Sequence, residues 1–141
     1  MFVLDTNVVS ELRKAKAGKA DRRVTAWAAT MLPAALFISA ITVLELELGV
    51  LMIERRDARQ GALLRAWLGG QVVPAFAGRV LPVDTAVAQR AAKLQVPDRR
   101  GDRDVLIAAT AMVHGMAVVT RNVADFVATG VLVFNPWDYG P

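Results

Sequence analysis

The chain contains no cysteine and a single histidine, His114, in 141 residues. The first absence removes disulfide scaffolds, thiolate-bound zinc, iron–sulfur clusters and thiol catalysis, and a cysteine-free chain is compatible with the cytoplasm. The second, with only Ser10 and Ser39 as serines, makes a His-based zinc site or a Ser-His-Asp triad hard to assemble. Neither a P-loop nor a G-x-G-x-x-G occurs, so a nucleotide-binding fold has no support. The longest apolar stretch, Pro33 to Ile53, is interrupted by Glu45 and Glu47, and two ionised carboxylates are costly at the centre of a membrane span. Asp5 follows Met1–Leu4 before an apolar run develops, so no signal peptide is expected. A soluble chain without membrane contact is the expectation, and its chemistry falls to carboxylates.

Hydrophobic residues make up 55% of the chain, enough for a core that needs no disulfide or structural metal. The length suits one domain over residues 1–141. With 21% charged residues and no low-complexity tract, disorder is not expected. Lys and Arg number 17 against 13 Asp and Glu, a net charge of +4, and 13 of the cations are arginine. That balance favours a polyanionic partner, because the planar guanidinium suits phosphate. At +4, an ordinary basic surface explains the charge about as well.

Short apolar runs at Phe2–Leu4, Leu36–Ser39, Val80–Val83, Ala117–Thr120 and Val131–Phe134 read as strands. Between them lie helical patterns, about Val8–Ala15, Val24–Met31, Thr42–Arg56, Asp57–Val73 (weakened at Gly69-Gly70), Thr85–Gln95, Arg103–His114 and Val123–Ala128. No hairpin signal joins two strands, so the expected fold is α/β, a three-layer α/β/α arrangement with a central, mostly parallel sheet of about five strands. The helix from Thr42 is apolar nearly all round, which implies burial on more than one side and a contact between subunits of a homodimer.

In open parallel sheets, ligands gather at the carboxyl ends of the strands. Asp5 directly follows the first strand and Glu45 lies early in the helix after the second. Asp104 opens the helix before the fourth strand, and Asp125 follows that strand. Each has a plainer reading. Asp5-Thr6-Asn7 can be an N-cap cluster, Thr42-x-x-Glu45 fits a capping box, Asp104 complements a helix dipole, and Asp125 can cap its own helix. Yet Glu45 sits among Val43, Leu44 and Leu46, where an unpaired carboxylate is expensive. Glu47, two residues on, points the other way. Acids brought together repel, and a hard divalent ion such as Mg²⁺ or Mn²⁺ resolves that conflict with oxygen ligands. His114 and the tryptophans Trp27, Trp67 and Trp137 are read as structural, and the cations of Arg13 to Arg23 as a solvated face able to meet phosphate.

These residues resemble a family. Phe2-Val3-Leu4-Asp5-Thr6-Asn7 is similar to the opening of PIN-domain ribonucleases of the VapC toxin type. The stretch Ser39 to Gly49, with Glu45 at the acidic position, resembles their second motif, and Asp104 to Ala111 the third. Thr120 to Phe126 resembles the fourth, and Phe134-Asn135-Pro136-Trp137 the ending of the FitB-like subgroup. The resemblance implies a PIN-like fold and a divalent-metal-dependent endoribonuclease, the toxin of a toxin–antitoxin pair, with an antitoxin protein as partner and a homodimer as assembly. It implies Asp5 and Asp104 as metal ligands, Glu45 as a further acid, and Thr6 and Thr120 as hydrogen-bonding neighbours, with Asn7 beside them. Some relatives carry an acid at the position of Asn122, where the nearest acid here is Asp125. One well-held ion and a weaker second are therefore expected.

Two other readings stand beside the nuclease. A phosphatase with Asp5 as nucleophile favours a second acid two residues on, where Asn7 stands. A catalytically weak or inactive PIN-like module that binds RNA or a protein is the stronger alternative, motivated by the neutral Asn122.

Overall fold

The computed structural model describes residues 1–140. Five strands, β1 (Phe2–Leu4), β2 (Leu36–Ser39), β3 (Val80–Leu81), β4 (Ala117–Val119) and β5 (Val133–Phe134), form one sheet in the order β3-β2-β1-β4-β5. Every neighbouring pair is parallel, as expected where helices separate the strands. The chain steps outward from β1 through β2 to β3, then returns to the other side of β1 for β4 and β5. That reversal opens a crevice at the carboxyl ends of β1 and β4.

Side-chain alternation along the strands divides the core. Leu4, Ile38 and Val119 face one layer, with Val8 and Val9 of α1 (Thr6–Arg13), Trp27 of α2 (Arg22–Ala29) and Leu46 and Val50 of α3 (Ala40–Arg56). Their neighbours Val3 and Val118 face the other, against Ile107, Ala108 and Ala111 of the later helix Asp102–Val113. Alanines on that helix let its backbone lie close to the sheet.

The helix starts differ from expectation, and the caps give the reason. Asp5 accepts the N–H of Thr6, so α1 begins at Thr6 instead of about Val8 and continues as a 3-10 turn to Ala17. Asp21 accepts from Arg23 and Val24, so α2 begins at Arg22. Ser39 accepts from Ile41 and starts α3 at Ala40. Thr42 is therefore fully buried inside the helix, and Thr42-x-x-Glu45 is not a capping box. Strand β3 is short because Pro82 has no N–H to continue its ladder.

Helix α3 buries Thr42, Leu46 and Val50, but leaves Leu44, Leu48, Leu51 and Met52 exposed. The expected burial on more than one side is thus not met within the chain. Helix α4 (Ala58–Trp67) folds back on α3, followed by a π-turn at Leu68–Val72 that holds Gly69-Gly70 and by the short α5 (Val73–Ala75). Helix α6 (Thr85–Leu94) packs on α7 (Asp102–Val113), and α8 (Val123–Val127) follows β4. Arg65 ties α4 to α3 by bonding Glu47 at 2.6 Å and Glu54 at 3.1 Å, which accounts for Glu47 outside any acid site.

Gly61 sits where the two helices touch: an added Cβ would lie 2.5 Å from the Cα of Glu54. Because the obstacle is backbone, Gly61→Ala must push α4 off α3. Overpacking of this kind costs about 1–3 kcal/mol, to be measured by urea unfolding.

Candidate active site

Asp5 extends β1 by one residue, its N–H bonding the carbonyl of Val119 at 2.8 Å. Its side chain is only 5% exposed and is satisfied on both oxygens. Oδ1 accepts the N–H of Thr6 at 2.8 Å. Oδ2 accepts the hydroxyl of Thr120 at 2.7 Å and the amide of Asn7 at 3.3 Å. Thr120 is itself oriented, since its oxygen receives the Asn7 amide at 3.2 Å and the Asn122 N–H at 3.0 Å. With two donors on that oxygen, its own proton is directed at Asp5. Burial pushes the Asp5 carboxyl above its ordinary range, the bonds from Thr120 and Thr6 pull it back, and the charges of Glu45 and Asp125 push it up further.

A second relay runs from Thr6. Its hydroxyl donates to Glu45 Oε1 at 2.6 Å, and the hydroxyl of Thr42 lies 3.2 Å from the Thr6 hydroxyl oxygen. Thr6 has one proton to give, so Thr42 donates to Thr6 while Thr6 donates to Glu45. The other oxygen of Glu45 lies 3.8 Å from the guanidinium of Arg103. Glu45 is therefore fixed on one side and met by an exposed cation on the other.

Asp104, in the first turn of α7, stands across the crevice. Its carboxyl is pushed up to about 6, first by desolvation and then by the charges of Asp5, Asp125 and Glu45. Asp5, Thr6, Asn7, Glu45, Asp104 and Asn122 line one open pocket of about 430 Å³. Asp125 lines an adjoining cleft of about 300 Å³ that shares Asp104 with the first. Asp125 accepts no hydrogen bond at the start of its helix, where Asn122 holds the cap position, so the capping explanation for Asp125 does not apply.

The same pocket holds Ser10 and Glu11, which sequence reasoning did not assign to it, and Lys14, one of the cations read as able to meet phosphate. A signal for Glu11 was present: it lies four residues after Asn7 on α1, hence on the same helical face. Glu11 also accepts the N–H of Asp21 at 2.8 Å, which ties the start of α2 to the wall of the pocket. Arg103 carried no signal, because its approach to Glu45 joins two distant helices. His114 is an exposed helix end, and Trp27 is a core residue between Phe2 and Phe134.

The chain belongs to the PIN domain family, whose profile matches residues 2–130. Within that family it is similar to the VapC ribonuclease Y4jK of Sinorhizobium fredii, with 41% identity over 98% of this chain and 99% of the relative. It is also similar to the toxin FitB of Neisseria gonorrhoeae, with 37% identity over 97% of this chain and 99% of FitB. The crystal structure of FitAcB from Neisseria gonorrhoeae superposes with a TM-score of 0.88 at 37% identity, covering 98% of this chain and 99% of that one. The expected fold class stands.

The raised carboxyl of Asp104 has a consequence for stability. Folded, it holds its proton to about pH 6, whereas the unfolded carboxyl releases it near 3.8. Its contribution is full below the lower value and is lost as pH rises through the upper one. In chelator-treated protein, stability is expected to fall across that window, and Asp104→Asn to flatten this part of the profile. The urea midpoint followed from acid to neutral pH checks it.

Proposed function

We propose that this chain is a divalent-metal-dependent endoribonuclease, the toxin component of a toxin–antitoxin module, acting as a single domain in the cytoplasm. The observation that carries the reading is the convergence of Asp5, Glu45 and Asp104 with Asn122 on one pocket at the carboxyl ends of β1 and β4. Support comes from relatives named VapC ribonuclease and toxin FitB, each matched over nearly its whole length. Among the described residues, no helix is long and apolar enough to cross a membrane.

The donor set fits a hard cation. Its side chains offer oxygen and no thiolate, and among the described residues no three acids that line the pocket stand close enough together to enclose an ion. Mg²⁺ or Mn²⁺ is held in such sites by one or two carboxylates and keeps several waters. Asp5 and Asp104 would hold the ion, whose positive charge offsets the desolvation and the repulsion that together raise the Asp104 carboxyl. When bound, it supplies charge neutralisation at the phosphate and a more acidic water.

The chain's own residues do the rest. Thr120 and Asn7 fix the rotamer of Asp5. Thr6 holds Glu45 so that its second oxygen can orient a water or take its proton. Asn122 and Asp125 flank Asp104 from either side, Asn122 as a neutral hydrogen-bond partner and Asp125 as the further acid. Arg103 and Lys14 lower the negative field that a phosphate backbone meets on entry. The neutral Asn122 favours one second reading, a weakly active or inactive PIN-like module that binds RNA or a protein.

An antitoxin protein is the expected inhibitor. The exposed Leu44, Leu48, Leu51 and Met52 on α3 supply an apolar face for a second copy. Light scattering of the antitoxin-free chain is expected to give a dimer, and Leu51→Glu to weaken it.

For the chemistry, Asp5→Asn keeps the acceptor for Thr6 N–H and removes a buried charge, so the fold is retained. Cleavage of a mixed-sequence RNA panel with Mg²⁺ or Mn²⁺ is expected to fall by about 10²–10³-fold or more, and to stop in EDTA. A folded wild type that binds RNA and cuts none of it supports the binding module instead.

A further inference from the structure

A strand cut at the acid pocket must leave it along some wall, and the walls differ in charge. Toward α8 the adjoining cleft carries Asp104 and Asp125, and its one cation, Arg100, is turned to the carbonyls of Asp98 and Ala128. Past the end of β4 the chain turns basic and aromatic. Arg121 follows Thr120 directly, and its N–H bonds the side chain of Asn7 at 3.3 Å, so it stands at the rim of the pocket. Its guanidinium lies 5.2 Å from the ring of Trp137. Trp137 is held in turn, by the N–H bond to Asn135 at 2.9 Å and by packing on the core. The stacked guanidinium is thus restrained while its outer face is open to solvent.

Beyond Trp137, Tyr139 forms one wall of a cleft of about 360 Å³ whose other walls include Arg22 and Arg23. Two contacts place this cleft at the same end of the sheet as the acids. The start of α2 is tied to Glu11, a lining residue of the acid pocket, through Asp21. Tyr139 itself follows β5, whose last residue Phe134 pairs with Val119 at the carboxyl end of β4. Among the described residues, neither Arg22 nor Arg23 forms an ion pair.

We propose that Arg121 on Trp137, Tyr139 and the Arg22–Arg23 pair form an exit track for single-stranded RNA, which carries the strand away from the acid pocket. The inference rests on the ribonuclease reading and deepens it. Cations alternating with planar rings match a single strand, because arginines meet successive phosphates while bases stack on the rings without sequence preference. Arg121 takes the phosphate nearest the cut, Tyr139 stacks a base, and Arg22 and Arg23 meet phosphates further along.

The test uses the whole chain carrying Asp5→Asn, so that bound RNA is not cut. A fluorescein-labelled, mixed-sequence RNA about 12 nucleotides long is titrated by anisotropy at several salt concentrations. Adding Arg22→Ala and Arg23→Ala is expected to weaken binding about tenfold and to lower the salt slope by about 1.4, the value for two phosphates on a single strand. Arg22→Lys with Arg23→Lys restores the slope, which a merely misfolded protein would not do. Tyr139→Leu is expected to lose about tenfold in affinity with the slope unchanged, as for one unstacked base.

Unchanged affinity and slope in the double alanine variant overturn the track. So does a loss confined to an acidic peptide with RNA binding intact, which would assign the cleft to a protein. Cleavage by the chain with native Asp5 is measured in parallel. If that protein cuts RNA and the track variants bind normally, the track fails and the nuclease stands. If it cuts nothing and the variants still lose RNA, the surface binds single strands, but the nuclease reading fails and the exit role fails with it.

Discussion

The arrangement depends on one buried carboxylate. Asp5 lies at the end of β1, between two strands, in a place where an unsatisfied charge would be expelled. It is retained because the Thr6 N–H, the Thr120 hydroxyl and the Asn7 amide bond its two oxygens. Those donors come from α1 and from the end of β4, so satisfying Asp5 also fixes the crevice between β1 and β4. The sheet order matters for the same reason. A chain that reverses direction beside β1 leaves no crossover above that point, and the site can open to solvent there.

Around Asp5 the site is built from paired tensions. Glu45 is fixed through Thr6 and Thr42, yet its charge raises the proton affinity of Asp5 and Asp104. Asp125 adds to that repulsion from a neighbouring cleft. A pocket that accumulates negative charge without closing a cage suits a cation that keeps waters, and suits a phosphate only when basic residues stand close by. Arg103, Lys14 and Arg121 occupy that rim. Function therefore rests on a short-range balance of charge that net composition, at +4, does not reveal.

Much of the fold was legible because strand and helix leave different periods in the sequence. The five short apolar runs and their parallel pairing followed from alternation with helices and from the lack of hairpin turns. The caps were less legible. Ser39, Asp21 and Asp5 each compete with nearby polar residues for the cap position, and only the backbone conformation decides among them. The apolar girdle of α3 pointed to burial on more than one side, yet Leu44, Leu48, Leu51 and Met52 stay exposed, because composition around a helix does not say which of its faces meets the rest of the chain.

The acids divide in the same way. Asp5, Glu45, Asp104 and Asp125 were recognisable from sequence, since each stands beside the end of a predicted strand or the start of a helix, and local position is encoded locally. Of their partners, Thr6, Asn7 and Thr120 came with the family resemblance, and the others were not legible. Thr42 behind Thr6, Arg103 over Glu45, Glu11 in the pocket wall and Asp125 in a separate cleft all depend on contacts between segments far apart in the chain. Periodicity and capping act over a few residues, so sequence alone determined the elements and the residues at their ends. Which hydroxyl points its proton at which carboxylate is decided by distances of about 3 Å between those elements, and only the packed tertiary structure sets them.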